Sequence, residues 1–325
     1  MSTPQTRDAF EAYVRERLDV IETALATAAT GKMPFVTEAA RHVIAAGGKR
    51  FRPLLVILAS ALGTPRSAED LTRAALVMEL THVASLYHDD VMDEADMRRG
   101  APSANSVWDN SVAILVGDYL FARASDIVAD LGVDFVRLQA RTFSRLVQGQ
   151  IAETLGPAED QDAVGAYLAV VADKTGSLIA SSAMFGGMVA GLPADQIEAL
   201  AGFGEELGVV FQLSDDIIDI TSESTGKTPG TDLREGVATL PTLMLADYDD
   251  AESRDLLRLV EGDLTDDATL AETLRRLREH EVIEKARAEV ARRAEVARAH
   301  LAVLPEGMAR EALSELCDTV VTRSV

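Results

Sequence analysis

Twice in this chain a cluster of carboxylates interrupts an apolar run patterned as a helix. The first is Tyr87-His88-Asp89-Asp90-Val91-Met92-Asp93 and the second Asp215-Asp216-Ile217-Ile218-Asp219. On a helix of about 3.6 residues per turn, Asp89 and Asp93 share one face, as do Asp215 and Asp219, while Asp90 and Asp216 lie on the flank. Like charges at that spacing repel, and burying them without a cation is costly. Oxygen-only ligands suit a hard ion such as magnesium, which keeps several waters and bridges carboxylates to phosphate oxygens. A solvated acidic helix face is the plainer alternative. Two copies in apolar surroundings weigh against it.

The rest of the chain is helical in pattern. Apolar positions recur every three or four residues along most of its 325 residues, and aromatics make up only 5%, which together predict an all-α protein. With 47% hydrophobic residues it can bury a large core, as one large helical domain or two smaller ones. The net charge of -22 argues against nucleic acid and against general attraction to anionic membranes. A single cysteine, Cys317, and no signal-peptide pattern predict a reduced, cytoplasmic protein. The uncharged stretch from Thr175 to Ala194 is rich in glycine and serine, so it reads as a buried central helix and not a transmembrane segment.

Taken in order, the pattern predicts helices over residues 5–30, up to Ala46, 68–95, 110–131, 134–155, 167–192 with a kink near Lys174-Thr175-Gly176, and 195–221. Amphipathic helices then fill the C-terminal region. The stretch Gly47-Gly48-Lys49-Arg50-Phe51-Arg52-Pro53 breaks one helix and opens the next, with Lys49 and Arg52 on one side if the turn is helical. Basic groups at a helix N-terminus can hold an anion. His82 lies two turns before Asp89, where a ligand role is possible but not required by spacing; His88 reads as an ordinary helix residue. Arg98 and Arg99, in a loop just after the first acidic cluster, suit diphosphate oxygens. Lys174, flanked by apolar residues, requires a carboxylate or phosphate partner. Gln212 and Glu223 extend the second acidic face, and residues 221–241 read as a mobile loop containing Lys227.

These strings, GGKRFRP at 47–53, HDDVMD at 88–93 followed by RRG, KT at 174–175, and FQLSDDIID at 211–219 followed by GKTPGTDLREG, resemble the trans-isoprenyl diphosphate synthases in content, order and spacing. The resemblance spans about residues 35–245, with C-terminal helices over 250–325, and implies a single domain with the isoprenoid-synthase fold, a helical bundle around a central cavity, and a homodimer. It implies Mg2+, three ions per site, with Asp89 and Asp93 binding two, Asp90 orienting nearby groups, and Asp215 binding the third with Asp216 and Asp219 in support. An allylic diphosphate would meet Arg98, Lys174, Thr175, Gln212 and Lys227. Isopentenyl diphosphate would meet Lys49, Arg52, His82 and Arg99. Lys174, Thr175 and Lys227 would serve the chemistry, and no protein base is required because released diphosphate can take the proton.

One departure stands out: many relatives carry a lysine after the DLREG string, where this chain has Val237 and Ala238. A diphosphate contact is absent there unless Lys227 or Arg234 supplies it. Ala84 and Ser85, one turn before Asp89, are small where short-chain relatives often place an aromatic, so a growing tail should pass toward Thr81 and Val77 or Met78. That predicts a polyprenyl product longer than geranylgeranyl, the alternatives being a geranylgeranyl or farnesyl diphosphate synthase. Of other classes, a class I terpene cyclase would lack the GGKRFRP string, and a non-catalytic helical subunit would have no use for three basic elements beside two acidic ones.

Overall fold

The computed structural model describes residues 6–158, 161–222 and 229–322. It is helical almost throughout, as the periodicity predicts, and its residues cluster into two compact units. One comprises Met1–Ser144, Leu178–Ala201 and Val303–Leu313; the other comprises Arg145–Ser177, Gly202–Ala302 and Ser314–Val325.

The first unit opens with α1 (Arg7–Ala28), α2 (Pro34–Ala45) and α3 (Phe51–Ser60), followed by the long α4 (Ala68–Met92). Ser67 starts α4 by accepting the Asp70 N–H at 2.9 Å, an N-cap bond that satisfies an otherwise orphaned donor. The expected loop at 96–102 is instead a short antiparallel hairpin, β1 (Met97–Arg98) and β2 (Ala101–Pro102), with Arg98 opposite Ala101. Then come α5 (Ala104–Val107), α6 (Asn110–Ala129) and the first half of α7 (Val133–Leu155). The core gathers Leu25, Val43, Leu80, Val83, Tyr87, Val116 and Leu120. Close approach is set by glycine: a Cβ at Gly117 would stand 2.3 Å from the His88 ring and 3.2 Å from the Ala84 carbonyl, so α6 lies directly against the motif-bearing α4.

Past the second half of α7, α8 (Ala163–Val171) leads into a π-helical turn, Ala172–Gly176, and then α9 (Ser177–Val189). The kink expected near Lys174 is thus a π-bulge, one residue added to the helical ladder. The run Ala163–Val189 is long and apolar enough to cross a membrane by length and composition, but the bulge interrupts it and residues 177–183 are buried in the fold. Next come α10 (Ala194–Thr221), α11 (Thr231–Arg234), α12 (Leu240–Leu245), α13 (Ala251–Val260), α14 (Asp267–Glu279), α15 (Val282–His300) and α16 (Met308–Thr322). Arg278 of α14 donates to the Ile220 carbonyl at 2.7 Å, satisfying one of the last carbonyls of α10 as a cation at a helix C-terminus can.

Candidate active site

Both acidic clusters occupy the last turns of long helices, α4 of 25 residues and α10 of 28, and neither helix has a basic residue in its last turn. The C-terminal end of a helix carries the negative pole of the backbone dipole, so carboxylates there repel the helix as well as one another. A divalent cation reverses the sign of both effects. Asp93 caps α4 in helical geometry, its N–H bonded to the Asp89 carbonyl at 2.8 Å, which preserves the i, i+4 relation of the two side chains. Among the described residues no three carboxylate, imidazole or thiol groups gather at one metal position. Magnesium held by one or two carboxylates and completed by water and phosphate needs no such trio. The donor chemistry therefore fits a magnesium ion whose shell the substrate finishes.

Asp90 is fully buried. Its Oδ1 accepts from Arg98 Nε at 2.5 Å, while Oδ2 has no hydrogen-bond partner. Burial raises its pKa, and Arg98 opposes the rise. The side chain holding Arg98 in place is therefore the flank carboxylate of the first cluster, while Asp89 and Asp93 share the neighbouring face.

Around α4 the first unit gathers cations. Arg50 is consumed internally, forked onto Glu22 at 2.6 and 2.7 Å and bonded to buried Glu79 at 3.1 Å. Arg99 donates to the carbonyls of Gly47 and Val43, tying the hairpin to the glycine turn. Helix α3 begins only at Phe51, so Lys49 precedes it, on the turn, and the same-side placement expected of a helical turn does not apply. Arg52 lies within the helix, and its Nε is buried with no hydrogen-bond partner. Burial brings the Arg52 guanidinium down to about 10, and Arg99 adds to the fall. His82 is held well below its usual range by burial and by Arg52, Arg99, Arg98 and Arg50, so it is a neutral hydrogen-bonding group. An excess of buried positive charge with an orphaned donor fits a multiply charged anion.

Backbone geometry marks the same two segments. Among the described residues the non-glycine positions with left-handed φ are Arg50 (46°), Glu94 (49°) and Arg99 (54°). Such conformations are uncommon outside glycine and cluster at functional sites. No feature of the sequence announces them.

In the second unit Asp216 is buried, and both its oxygens are engaged. Oδ2 accepts from the Tyr167 hydroxyl and from Leu240 N at 3.2 Å, and Oδ1 from Gln212 Nε2 at 3.3 Å. Burial nonetheless raises its pKa to about 6. Asp219 accepts the N–H groups of Thr231 and Asp232, each at 3.2 Å, so it orders the start of α11. Lys174 Nζ lies 2.5 Å from Glu153 Oε2, which answers its need for a partner with a carboxylate. Thr175 Oγ1 donates to Gln212 Oε1 at 3.5 Å. Arg234 is taken by Asp267 at 2.6 Å; Lys227 and Glu223 lie outside the described residues. Pattern reading missed Glu79, Tyr167, Arg145 and Glu153. A glutamate inside the apolar run of α4 was the one visible hint.

The model of the polyprenyl synthetase family matches residues 33–277. The chain belongs to that family. This polyprenyl synthetase is 46% identical to the nonaprenyl diphosphate synthase of Mycobacterium tuberculosis over 97% of its own length and 94% of the relative's. Among solved structures, the geranylgeranyl pyrophosphate synthase of Corynebacterium glutamicum, in complex with calcium and isoprenyl diphosphate, superposes with a TM-score of 0.88, 43% identity and 98% of each chain covered. A decaprenyl diphosphate synthase from Rhodobacter capsulatus superposes with a TM-score of 0.87 at 31% identity, covering 98% of this chain and 100% of that one. The synthetase is accordingly a trans-prenyltransferase with the all-α fold of the isoprenyl diphosphate synthases, and prenyl diphosphates and a divalent cation are the common ground of the family.

Proposed function

We propose that this synthetase joins isopentenyl diphosphate to an allylic diphosphate, repeatedly and head to tail, to give an all-trans polyprenyl diphosphate of more than twenty carbons. The feature that carries the length is on α4: Ala84 and Ser85, one turn before Asp89, have small side chains, where a large one would narrow the way for a growing tail. Relatives named for nonaprenyl and decaprenyl products support the same reading.

In this reading Asp89, Asp93 and Asp215 would hold Mg2+, three ions per site, and the bound metal would supply positive charge to the departing diphosphate. Asp90 and Asp216 act from buried positions, the first by fixing Arg98, the second by fixing the last turns of α10 against Tyr167 and Leu240. Asp219 supports the same region through α11. Lys174, Thr175, Gln212, Arg98 and Lys227 hold the allylic diphosphate. Lys49, Arg52, Arg99 and neutral His82 hold the isopentenyl diphosphate. The allylic carbon–oxygen bond breaks with its electron pair leaving on diphosphate. The isopentenyl double bond then attacks the cation, and released diphosphate takes the proton that restores an alkene. Oriented positive charge is what the protein contributes.

The enzyme works as a homodimer in the cytoplasm. Ile114 and Leu115 on α6, with Val133 and Val136 on α7, are large, apolar and exposed, as surfaces covered by a second copy are. Incubation with labelled isopentenyl diphosphate, Mg2+ and dimethylallyl, geranyl or farnesyl diphosphate tests the class. Label entering prenyl products supports it. Release of cyclic hydrocarbon without demand for isopentenyl diphosphate would overturn it in favour of a terpene cyclase.

A further inference from the structure

The π-bulge that carries Lys174 and Thr175 sits against one stripe of α7. Arg145, Gly149 and Glu153 follow one another at i, i+4 and i+8, so they share a face of that helix, and each meets the bulge differently. Arg145 Nε donates to Asp173 at 2.8 Å. Gly149 lets the backbones touch: a Cβ there would stand 2.7 Å from the Lys174 nitrogen and 3.0 Å from the Asp173 Cβ. Glu153 takes the Lys174 ammonium at 2.5 Å.

Arg145 also reaches α10, donating from Nη1 to Glu205 Oε2 at 2.7 Å. The Glu205 carbonyl is close as well, since a Cβ at Gly176 would lie 3.1 Å from it. One guanidinium thus ties the bulge to the second acidic helix. A π-bulge shifts the register of the residues it contains, so something must choose that register over a regular helix. The bulge is held here by a bridged arginine, by Gly149 of α7, where a Cβ would collide with its backbone, and by the close approach of Gly176 to α10.

We infer that Arg145 is a positioning residue of the reaction: through Asp173 and Glu205 it sets the π register that presents Lys174 and Thr175 to the allylic diphosphate. The inference rests on the reading of Lys174 and Thr175 given above. Arg145 itself need not touch substrate. Because isopentenyl diphosphate is assigned to residues of the other unit, a disturbed bulge should damage one substrate and spare the other.

The test is steady-state kinetics in both substrates, with melting temperatures, for wild type, Arg145→Met, Arg145→Lys, Glu205→Gln, Lys174→Ala and the Arg145→Met/Lys174→Ala pair. Misplacing a binding group by a fraction of its length lowers turnover by about tenfold to a hundredfold, and that loss is expected in kcat/KM for the allylic primer with Arg145→Met. KM for isopentenyl diphosphate should stay unchanged, Arg145→Lys, which keeps the charge but cannot fork onto both carboxylates, should recover only part of the loss, and Glu205→Gln, a partly buried conservative change, should reproduce part of it. In the Lys174→Ala background, removing Arg145 should cost less than it does in wild type, only the share carried by Thr175, the sign of residues acting as a unit. Equal damage to both substrates that follows the melting temperature would overturn the inference, as would effects that multiply in the double variant. If Lys174→Ala is itself harmless to primer use, the substrate reading of Lys174 fails first and takes the inference with it.

Discussion

The Tyr167 hydroxyl donates to Asp216 Oδ2, so the middle carboxylate of the second acidic cluster is spent on holding helices together. Tyr167→Phe keeps the ring and removes the donor from a buried acceptor. Losing one bond to a buried carboxylate costs about 1–3 kcal/mol, and denaturant unfolding of the metal-free protein should show that loss. A variant as stable as wild type would mean that the Leu240 and Gln212 donors suffice.

Arg52 carries its charge at a cost. Burial lowers its pKa, yet a guanidinium stays protonated at neutral pH in both folded and unfolded states, so the folded state bears the desolvation. A bound diphosphate offsets that cost. Arg52→Gln keeps a polar side chain and removes the charge, so KM for isopentenyl diphosphate at neutral pH should rise by about tenfold to a hundredfold, the loss of a charge-assisted hydrogen bond. An unchanged KM would remove Arg52 from the isopentenyl diphosphate site.

Gly186 on α9 has no room for a side chain. A Cβ would stand 2.4 Å from the Val56 carbonyl and 3.0 Å from the Ser60 nitrogen on α3, both backbone atoms that cannot swing aside. Gly186→Ala should destabilise by about 1–3 kcal/mol through this overpacking, measured by chemical denaturation. Unchanged stability would mean that α3 and α9 separate freely.

Ala84 is fully buried and Ser85 nearly so. Phe at either position would block the wall one turn from Asp89, so both variants should release shorter chains, read by chromatography of the dephosphorylated products. Unchanged lengths would show that the tail passes along another wall.

Sequence and structure agree where the chemistry is local. The acidic clusters were legible because a carboxylate pair four residues apart declares a shared helix face, and the structure keeps that relation at Asp89 and Asp93. The helices were legible from the spacing of apolar residues, and the break at Gly47-Gly48 from the positive φ both glycines adopt, 91° and 149°. Long-range pairing left no such mark. Nothing in the string around Tyr167 says that it meets Asp216, and Glu22 lies 28 residues from the Arg50 it binds. The π-bulge was visible only as a glycine-bearing kink, because an added residue in the ladder changes hydrogen bonding without changing composition. The hairpin at 97–102 was too short for any two-residue alternation to show.

Chain length decides most directly whether this site does what its α4 wall allows. Purified enzyme given farnesyl diphosphate, excess isopentenyl diphosphate and Mg2+ should yield all-trans products beyond twenty carbons; products that end at fifteen or twenty carbons would contradict the account.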